Sequence, residues 1–393
     1  MLTFVTNLFF NFIIFLFGIV FIFLSSINLI TSFFSLKKER YESFFPRVSV
    51  LVRTWNDGSV VERCIKNYLK QDYPENDYEI IIMDDGSTDN TKEICEKYSK
   101  EGKIKYIRFE EHSELKAKVV DHTIENYATG EIIIETDVDG VLQKDFIKKM
   151  VRPYKDKEVA AVTGVVMGGN WYRNLLAMSR AVENFWHFCT AMYGRYALTG
   201  QGFIYGGSKS YRRKTWEELG GHSTKTLVED GEMGAELVGK NKKIAIVKDS
   251  PVLQEEVETM KQYFDEQKRW IGGDIEVTKL YRKKLLKNKF NFIVMSSNFS
   301  IDFIFLASII ISFFNPIFII FALINALAVF IGLFSFRAKR EFYFYSIPCM
   351  LINSILRIII LLSLVKSKIK KDEVTWKKVW HYPVELKSPT KNK

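Results

Sequence analysis

Glu131-Ile132-Ile133-Ile134-Glu135-Thr136-Asp137-Val138-Asp139-Gly140 is the stretch on which the fold of this chain turns. Three successive β-branched isoleucines mark a buried strand, and the strand ends, at a glycine, on two carboxylates separated by one residue. Alternation along a strand puts Asp137 and Asp139 on one face, roughly 6 to 7 Å apart, so that both converge on one bound group. Two oxygen ligands at the open end of a parallel strand suit a hard divalent cation that itself carries phosphates. The same Asp-x-Asp-Gly also serves as a polar turn that closes a strand, and its surroundings must decide.

Outward from it, strands alternate with helices. Residues 47–53 form a buried-strand pattern that runs into Thr54-Trp55-Asn56-Asp57-Gly58 and a helix to about residue 71, stopped by Asp72-Tyr73-Pro74. Residues 78–83 make a second strand ending on Asp84-Asp85-Gly86-Ser87-Thr88-Asp89, whose last residues are N-cap types for a helix over 91–99. A strand over 103–108 and a helix over 113–127 lead back to the opening stretch. Such alternation predicts an α/β domain with parallel pairing and right-handed crossovers. Functional groups then gather at the carboxyl ends of the strands, where Thr54, Asp85 and Asp137 fall.

The first 36 of the 393 residues carry no charged side chain and end at Lys37-Lys38-Glu39-Arg40. That run is too long for a signal-peptide core and lacks a small-residue cleavage pattern, so a retained membrane helix is expected over 9–33. A second apolar run, 290–336, contains only Asp302 as a charge and breaks at Asn315-Pro316; a third, 342–365, contains Arg357. The chain thus divides into an N-terminal transmembrane helix (1–36), an α/β domain ending in an interfacial helix (37–289), a region of two or three spans (290–365) and a lysine-rich tail (366–393). Four cysteines without CxxC spacing argue against a zinc site or a disulfide framework. The clearest cluster within the net charge of +10 is nine lysines after Val365, behind a membrane segment. Anionic headgroups and the positive-inside bias account for it, and no nucleic-acid partner is expected.

Val48-Ser49-Val50-Leu51-Val52 with Thr54-Trp55-Asn56, Gln71-Asp72-Tyr73-Pro74, Ile82-Met83-Asp84-Asp85-Gly86-Ser87-Thr88-Asp89, Lys116-Ala117 and Thr136-Asp137-Val138-Asp139 stand in an order that resembles family 2 glycosyltransferases. The membrane-integrated synthases of hyaluronan, cellulose, chitin and poly-N-acetylglucosamine are the members it resembles. The resemblance implies a GT-A fold, a nucleotide-diphosphate sugar as donor, with UDP the expected nucleotide, and Mg²⁺ or Mn²⁺. It implies nucleoside contact at Asp84 or Asp85 beside Thr54, diphosphate contact at Lys116, and metal ligation by Asp137 and Asp139. Arg53 stands where the family often has proline.

Further along, residues 171–196 read as one aromatic-rich helix, and Gly200 to Gly207 bring four glycines into eight positions, which lets backbone approach a ligand. Leu227-Val228-Glu229-Asp230-Gly231 puts an acidic pair at a helix start, where the dipole alone favours carboxylates by about 0.3 to 1 kcal/mol. The resemblance implies that Asp230 is the general base, with Gly206 and Glu229 on the acceptor side. Residues 260–270 form an amphipathic helix that resembles the Gln-x-x-Arg-Trp motif of those synthases, with Glu266 in place of the Gln. Arg269 then serves the leaving group and Trp270 the acceptor.

A membrane-embedded inverting transferase that extends a β-linked polysaccharide, with coupled translocation, is the first expectation. Single-sugar transfer to a lipid acceptor is the second, and a non-catalytic membrane protein with a decayed transferase domain the third. The catalytic block is expected in the cytoplasm and the amino terminus outside; a tail on the inside is favoured, but two spans would then strand Arg337, Lys339 and Arg340 outside. Few spans leave little protein for a private channel unless the chain dimerises, so the bilayer, a glycan or glycolipid and a second copy of the chain are the partners expected.

Overall fold

The computed structural model describes residues 2–38, 41–113, 115–226, 228–370 and 384–391. Arg40 and most of the lysine-rich tail lie outside the described residues. The strands are β1 (Val48–Thr54), β2 (Tyr78–Asp85), β3 (Lys105–Phe109), β4 (Ile132–Asp137), β5 (Val159–Gly168), β6 (Ser208–Arg212) and β7 (Lys243–Gln254). The helices are α1 (Leu2–Phe34), α2 (Val61–Tyr68), α3 (Thr91–Lys100), α4 (Lys116–Asn126), α5 (Phe146–Val151), α6 (Leu175–Asn184), α7 (Arg195–Thr199), α8 (Arg213–Leu219), α9 (Glu229–Gly239), α10 (Met260–Leu285), α11 (Lys289–Phe299), α12 (Ile301–Ser312), α13 (Ile319–Ser335) and α14 (Arg340–Lys370).

All seven strands join one sheet in the order β3-β2-β1-β4-β6-β5-β7, parallel except that β6 runs against both its neighbours. This is the GT-A arrangement that the resemblance implied. Its logic is the period of two: Val48, Val50 and Val52 pack with Cys64, Ile65 and Tyr68 on one face, while Leu51, Ile81, Met83 and Ile133 pack with Val119, Val120 and Ile124 on the other. β6, Ser-Lys-Ser-Tyr-Arg, has no apolar run to announce it, and it is held because β4 and β5 flank it and bury Lys209. The single helix expected over 171–196 is instead three segments: α6, a π-helix over Phe185–Gly194, and α7.

Among the described residues three helical segments are long and apolar enough to cross a membrane: Phe12–Phe34, Pro316–Ser335 and Arg340–Ser367. The pair Lys289–Asn298 and Ile301–Ser312, bent by 53°, makes a fourth if it is one broken span. The C-terminal half of α1 carries a polar stripe, Ser25, Asn28, Thr31 and Ser32, continued by Ser35 just beyond the helix, all fully buried. Asn28 Nδ2 donates to Asn325 Oδ1 on α13 at 3.0 Å, and Asn325 returns a bond to Ser25 at 2.9 Å. Backbones also meet there: a Cβ on Gly194 of the π-helix would lie 2.1 Å from the Thr31 carbonyl oxygen. The turn after α13 bonds to the end of the chain, and the end of the chain bonds to the α/β block. Lys387 N–H donates to Gly169 O at 2.8 Å, Lys339 N–H to Pro389 O at 3.0 Å, and Lys391 N–H to Arg337 O at 2.9 Å.

Candidate active site

Because β1, β2 and β4 are parallel, their carboxyl ends meet at one rim, which borders a cavity of about 840 Å³. Lys116, Asp137, Asp139, Gly206, Glu229, Asp230, Arg269 and Trp270 line it; Thr54, Asp84 and Asp85 do not. Asp84 is fully buried and accepts from Tyr106 Oη at 2.5 Å, Arg108 Nη1 at 2.6 Å and the Ser87 N–H at 2.9 Å. Asp85, equally buried, accepts from Arg53 Nε at 3.0 Å and the Ser113 N–H at 2.9 Å. Thr54 donates its hydroxyl to Asp57 Oδ2 at 3.2 Å. These three sit behind the wall, and Arg53, Trp55 and Asp57 form its surface. Trp55 stacks on His112 with centroids 3.7 Å apart and planes 13° from parallel. Arg53, which stands where the family often has proline, thus has a structural partner in Asp85.

β4 ends at Asp137, so Asp139 stands in the following turn and the strand alternation expected to align the two carboxylates does not apply. Gln254 at the end of β7 aligns them instead, with its Nε2 3.1 Å from Asp137 Oδ2 and 3.3 Å from Asp139 Oδ1. Arg63 Nη2 fixes the turn by donating to the Asp139 carbonyl at 3.0 Å. Lys116 Nζ lies 3.2 Å from Asp137 Oδ1. Burial opposes ionisation of Asp137, yet Lys116 and the Gln254 amide outweigh it and hold the carboxyl below its ordinary range. Among the described residues no group of three or more His, Cys, Asp or Glu side chains is placed to hold a metal. Mg²⁺ and Mn²⁺ sites of the phosphate-bridging kind use one or two protein carboxylates and complete their shell with phosphate and water, so Asp137 and Asp139 fit such an ion.

Asp230 enters on the first turn of α9 and faces the glycine loop, where a Cβ added to Gly206 would lie 2.9 Å from Asp230 Oδ2. Burial, and then the neighbouring Glu229 carboxylate, push the Asp230 pKa up. Behind the pair runs a chain of buried charges. Lys209 Nζ is 3.3 Å from Glu229 and 3.4 Å from Glu135, its cross-strand partner in the β4–β6 register. Glu135 also accepts from Tyr211 Oη at 2.7 Å and faces His222 Nε2 at 3.3 Å, while His222 Nδ1 lies 2.5 Å from Asp121. Burial works against a charged His222, but the bonds to Asp121 and Glu135 lift its pKa to about 9. Burial likewise opposes an ionised Glu229, and Lys209 with Lys116 overcomes it and keeps Glu229 below its ordinary range. Asp274, one turn beyond Trp270 on α10, also lines the cavity; burial, then Asp230, raise its pKa to about 7.

Where the cavity meets α12 and α14 the organising group is Arg180 of α6. Its side chain, nearly fully buried, pairs with Glu183, with Glu256 at 3.6 Å and with Glu266 at 3.6 Å, and its guanidinium lies 5.6 Å from the Trp270 ring centroid. Glu266, at the position of the motif's Gln, is therefore matched by a cation. Burial, partly offset by Arg180, raises Glu256 to about 7. Arg357 of α14 continues the cluster to Glu183 and, at 2.7 Å, to Asp302 of α12. α10 itself begins at a reciprocal cap between Thr259 and Gln262, which fixes where Glu266, Arg269 and Trp270 fall along it. Sequence reasoning missed Lys209, Glu135, Arg180 and Asp274 as parts of the site. Asp274 alone carried a legible signal, its i+4 spacing from Trp270 on a helix already recognised.

Residues 49–220 match the family model described as Glycosyl transferase family 2. That stretch is thus similar to family 2 glycosyltransferases, and the relatives that the chain matches bear the names of sugar-transferring enzymes. A β-monoglucosyldiacylglycerol synthase of Nostoc sp. (strain PCC 7120) is 26% identical over 262 residues, covering 64% of this chain and 54% of that protein. A probable glycosyltransferase of Bacillus subtilis (strain 168), YdaM, is 26% identical over 289 residues, covering 70% of this chain and 66% of its own length. The chain thus spans about half the length of the Nostoc relative. Among solved structures, a mannosyltransferase of Pyrobaculum calidifontis in complex with GDP-mannose and Mn²⁺ superposes with a TM-score of 0.47 at 17% identity, covering 79% of this chain and 97% of that one. Residues 1–349 of S. aureus TarS in complex with UDP superpose with a TM-score of 0.46 at 17% identity, covering 85% and 94%.

Proposed function

We propose that this chain is an inverting, metal-dependent glycosyltransferase that passes a sugar from a nucleotide diphosphate, UDP foremost, to a hydroxyl presented from the membrane side. One continuous cavity carries the proposal: it runs from Lys116 and Asp137 past Asp230 to Phe303 of α12 and Leu361 of α14. In the reaction the acceptor oxygen bonds to the anomeric carbon while the bond from that carbon to the phosphate oxygen breaks and its electron pair leaves with the nucleoside diphosphate. Asp230 takes the acceptor proton, a role that its raised pKa suits. With one base and no enzyme nucleophile, an α-linked donor gives a β-linked product. Lys116 and Arg269 are the cations for the charge that develops on the leaving group. Mg²⁺ or Mn²⁺ on Asp137 and Asp139 would neutralise the same diphosphate.

The acceptor is read first as the end of a growing β-linked polysaccharide, because Arg180, Glu183, Asn184, Glu256 and Gln267 give the membrane end polar walls suited to sugar hydroxyls. A glycolipid acceptor is the second reading, favoured by Ile275, Phe303 and Leu361 in the same wall and by the name of the Nostoc relative. Membranes incubated with labelled nucleotide sugars and Mn²⁺ separate the two by product size: a ladder of lengths for a polymer, one mobile species for a glycolipid. No transfer from any nucleotide sugar with either ion would instead support the non-catalytic alternative.

The block is read as cytoplasmic, where nucleotide sugars are made. Arg337 and Lys339 bond to the end of the chain, which in turn bonds to Gly169 of the block, an arrangement that the positive-inside bias favours. The broken α11–α12 pair and α13 then form one hairpin of two crossings, with α14 lying along the block; its Leu364 sits within contact range of a Cβ on Gly272 of α10. Export of a polymer through so few spans calls for a second copy of the chain.

A further inference from the structure

Residues 384–391 lie as an extended strap on the α/β block. Val384, Leu386 and Ser388 are half-buried while Glu385 and Lys387 between them are exposed, the alternation of an extended chain with one face on protein. The strap is seated through its main chain. Trp171 Nε1 donates to Lys387 O at 3.1 Å, Tyr172 Oη to Glu385 O at 2.8 Å, and Lys387 N–H to Gly169 O at 2.8 Å. Leu386 covers Gly169 so closely that a Cβ there would lie 2.8 Å from Leu386 Cβ. None of these strap residues lines the catalytic cavity.

Two of its contacts lead to the groups that hold Asp137 and Asp139. Arg63 of α2 is the first link: its Nη1 donates to Val384 O at 3.3 Å, and its Nη2 to the Asp139 carbonyl at 3.0 Å and to Glu255 Oε1 at 3.4 Å. The bond to Asp139 goes to the main chain, so it sets where the turn stands without capping the carboxylate. Gly169 is the second link. It accepts from Lys387 and donates its own N–H to Gln254 O at 2.8 Å, and Gln254 is the residue whose amide aligns the two carboxylates. Partners that hold a metal-binding carboxylate from behind govern metal affinity by about 10- to 100-fold without touching the ion. We propose that residues 384–391 clamp the Asp137–Asp139 turn, with Arg63 as the positioning residue through which the strap holds Asp139 ready for a divalent cation. The proposal rests on the metal reading of Asp137 and Asp139 given above. By linkage, the ion favours the seated strap as much as the seated strap favours the ion.

The test uses the full chain purified in detergent and needs no turnover. Mn²⁺ binding is titrated by electron paramagnetic resonance in the presence of UDP, with UDP binding in chelator and Tm as controls. Arg63→Met should bind Mn²⁺ roughly tenfold or more weakly, while its UDP affinity in chelator stays that of wild type. Leu386→Asp, which alters the strap and leaves the block intact, should weaken Mn²⁺ binding in the same direction. The double variant should lose less than the product of the two single losses, because both act on one turn. In the wild-type chain, hydrogen exchange at the Lys387 amide should slow when Mn²⁺ is added beside UDP, and not with UDP in chelator. Where Arg63→Met does not fold, Leu386→Asp and the exchange measurement decide. Variants that bind Mn²⁺ as tightly as wild type, or a Lys387 amide indifferent to Mn²⁺, overturn the clamp and leave the metal reading standing. A parallel fall in Mn²⁺ binding, UDP binding and Tm overturns it too, as the mark of a merely structural contact. A wild-type chain that binds no Mn²⁺ beside UDP overturns the metal reading and the clamp with it.

Discussion

Gly206→Ala tests the placement of the base with one methyl group. Gly206 does not occupy the left-handed backbone region, so alanine is tolerated conformationally, and the substitution acts through the contact it makes. The added Cβ would lie 2.9 Å from Asp230 Oδ2, whereas ordinary contact begins near 3.4 Å. The carboxylate must therefore retreat by about half an ångström from where the acceptor hydroxyl meets it, and since ~1 Å of misplacement costs about a hundredfold, kcat should fall roughly tenfold. The added methyl meets no atom other than those of Asp230 within 4 Å, so KM for the nucleotide sugar and the Kd for UDP should hold. The assay is release of nucleoside diphosphate at saturating acceptor, with UDP binding by calorimetry as the control. Asp230→Asn gives the benchmark, about 10² to 10⁴ for complete loss of a general base. A Gly206→Ala enzyme with unchanged kcat beside an inactive Asp230→Asn enzyme would refute the placement. So would a defect confined to donor KM.

Asp274→Asn should stabilise the protein in a pH-dependent way. An unfolded Asp ionises near 3.8 and the folded one near 7, so the native state holds a proton that the unfolded chain has lost, and stability falls as pH rises between those values. The advantage of the variant in thermal unfolding should grow by about 2 to 3 kcal/mol from pH 5 to pH 8; a constant difference would contradict the buried carboxyl. Lys209→Met removes the buried cation that Glu135 and Glu229 share, and a loss of about 3 to 5 kcal/mol is expected, read as a drop in Tm, with a change under 1 kcal/mol ruling against a structural ion pair. Chelation should abolish transfer and Mn²⁺ restore it, while Asp137→Asn should stay inactive at any Mn²⁺ concentration; full transfer in chelator would remove the metal from the site.

Much of the sheet was legible because its central strands announce themselves. Arg47 to Arg53, Tyr78 to Met83 and Glu131 to Thr136 are apolar runs closed by turn residues, and parallel order follows from the helices between them. β6 was not legible, since Ser208-Lys209-Ser210 looks solvated until Glu135 across the strand pair and Glu229 on α9 claim the lysine. The π-helix was hidden for another reason, because a register change inside a helix leaves aromatic periodicity nearly intact. At the site, residue type was legible and orientation was not. Asp84 and Asp85 read as ligands by position, yet Tyr106, Arg108, Arg53 and the Ser113 N–H occupy them, partners contributed by strands and loops remote in sequence.

Glu266 shows how a departure from a motif is resolved by the fold. A carboxylate in place of an amide, in a wall this buried, needs a cation close by, because burial alone would drive it to the neutral form. Arg180 answers from α6, but one guanidinium cannot satisfy Glu183, Glu256 and Glu266 together, and Glu183 takes a second partner from Arg357 on α14. Arg357 in turn is held by Asp302 on α12. The two charges that looked out of place in apolar segments and the altered motif residue are thus members of one cluster. That cluster ties the helix bearing Arg269 and Trp270 to the apolar helices α12 and α14. A change at position 266 is therefore expected to be felt where the cavity meets α12 and α14 as well as beside Arg269 and Trp270.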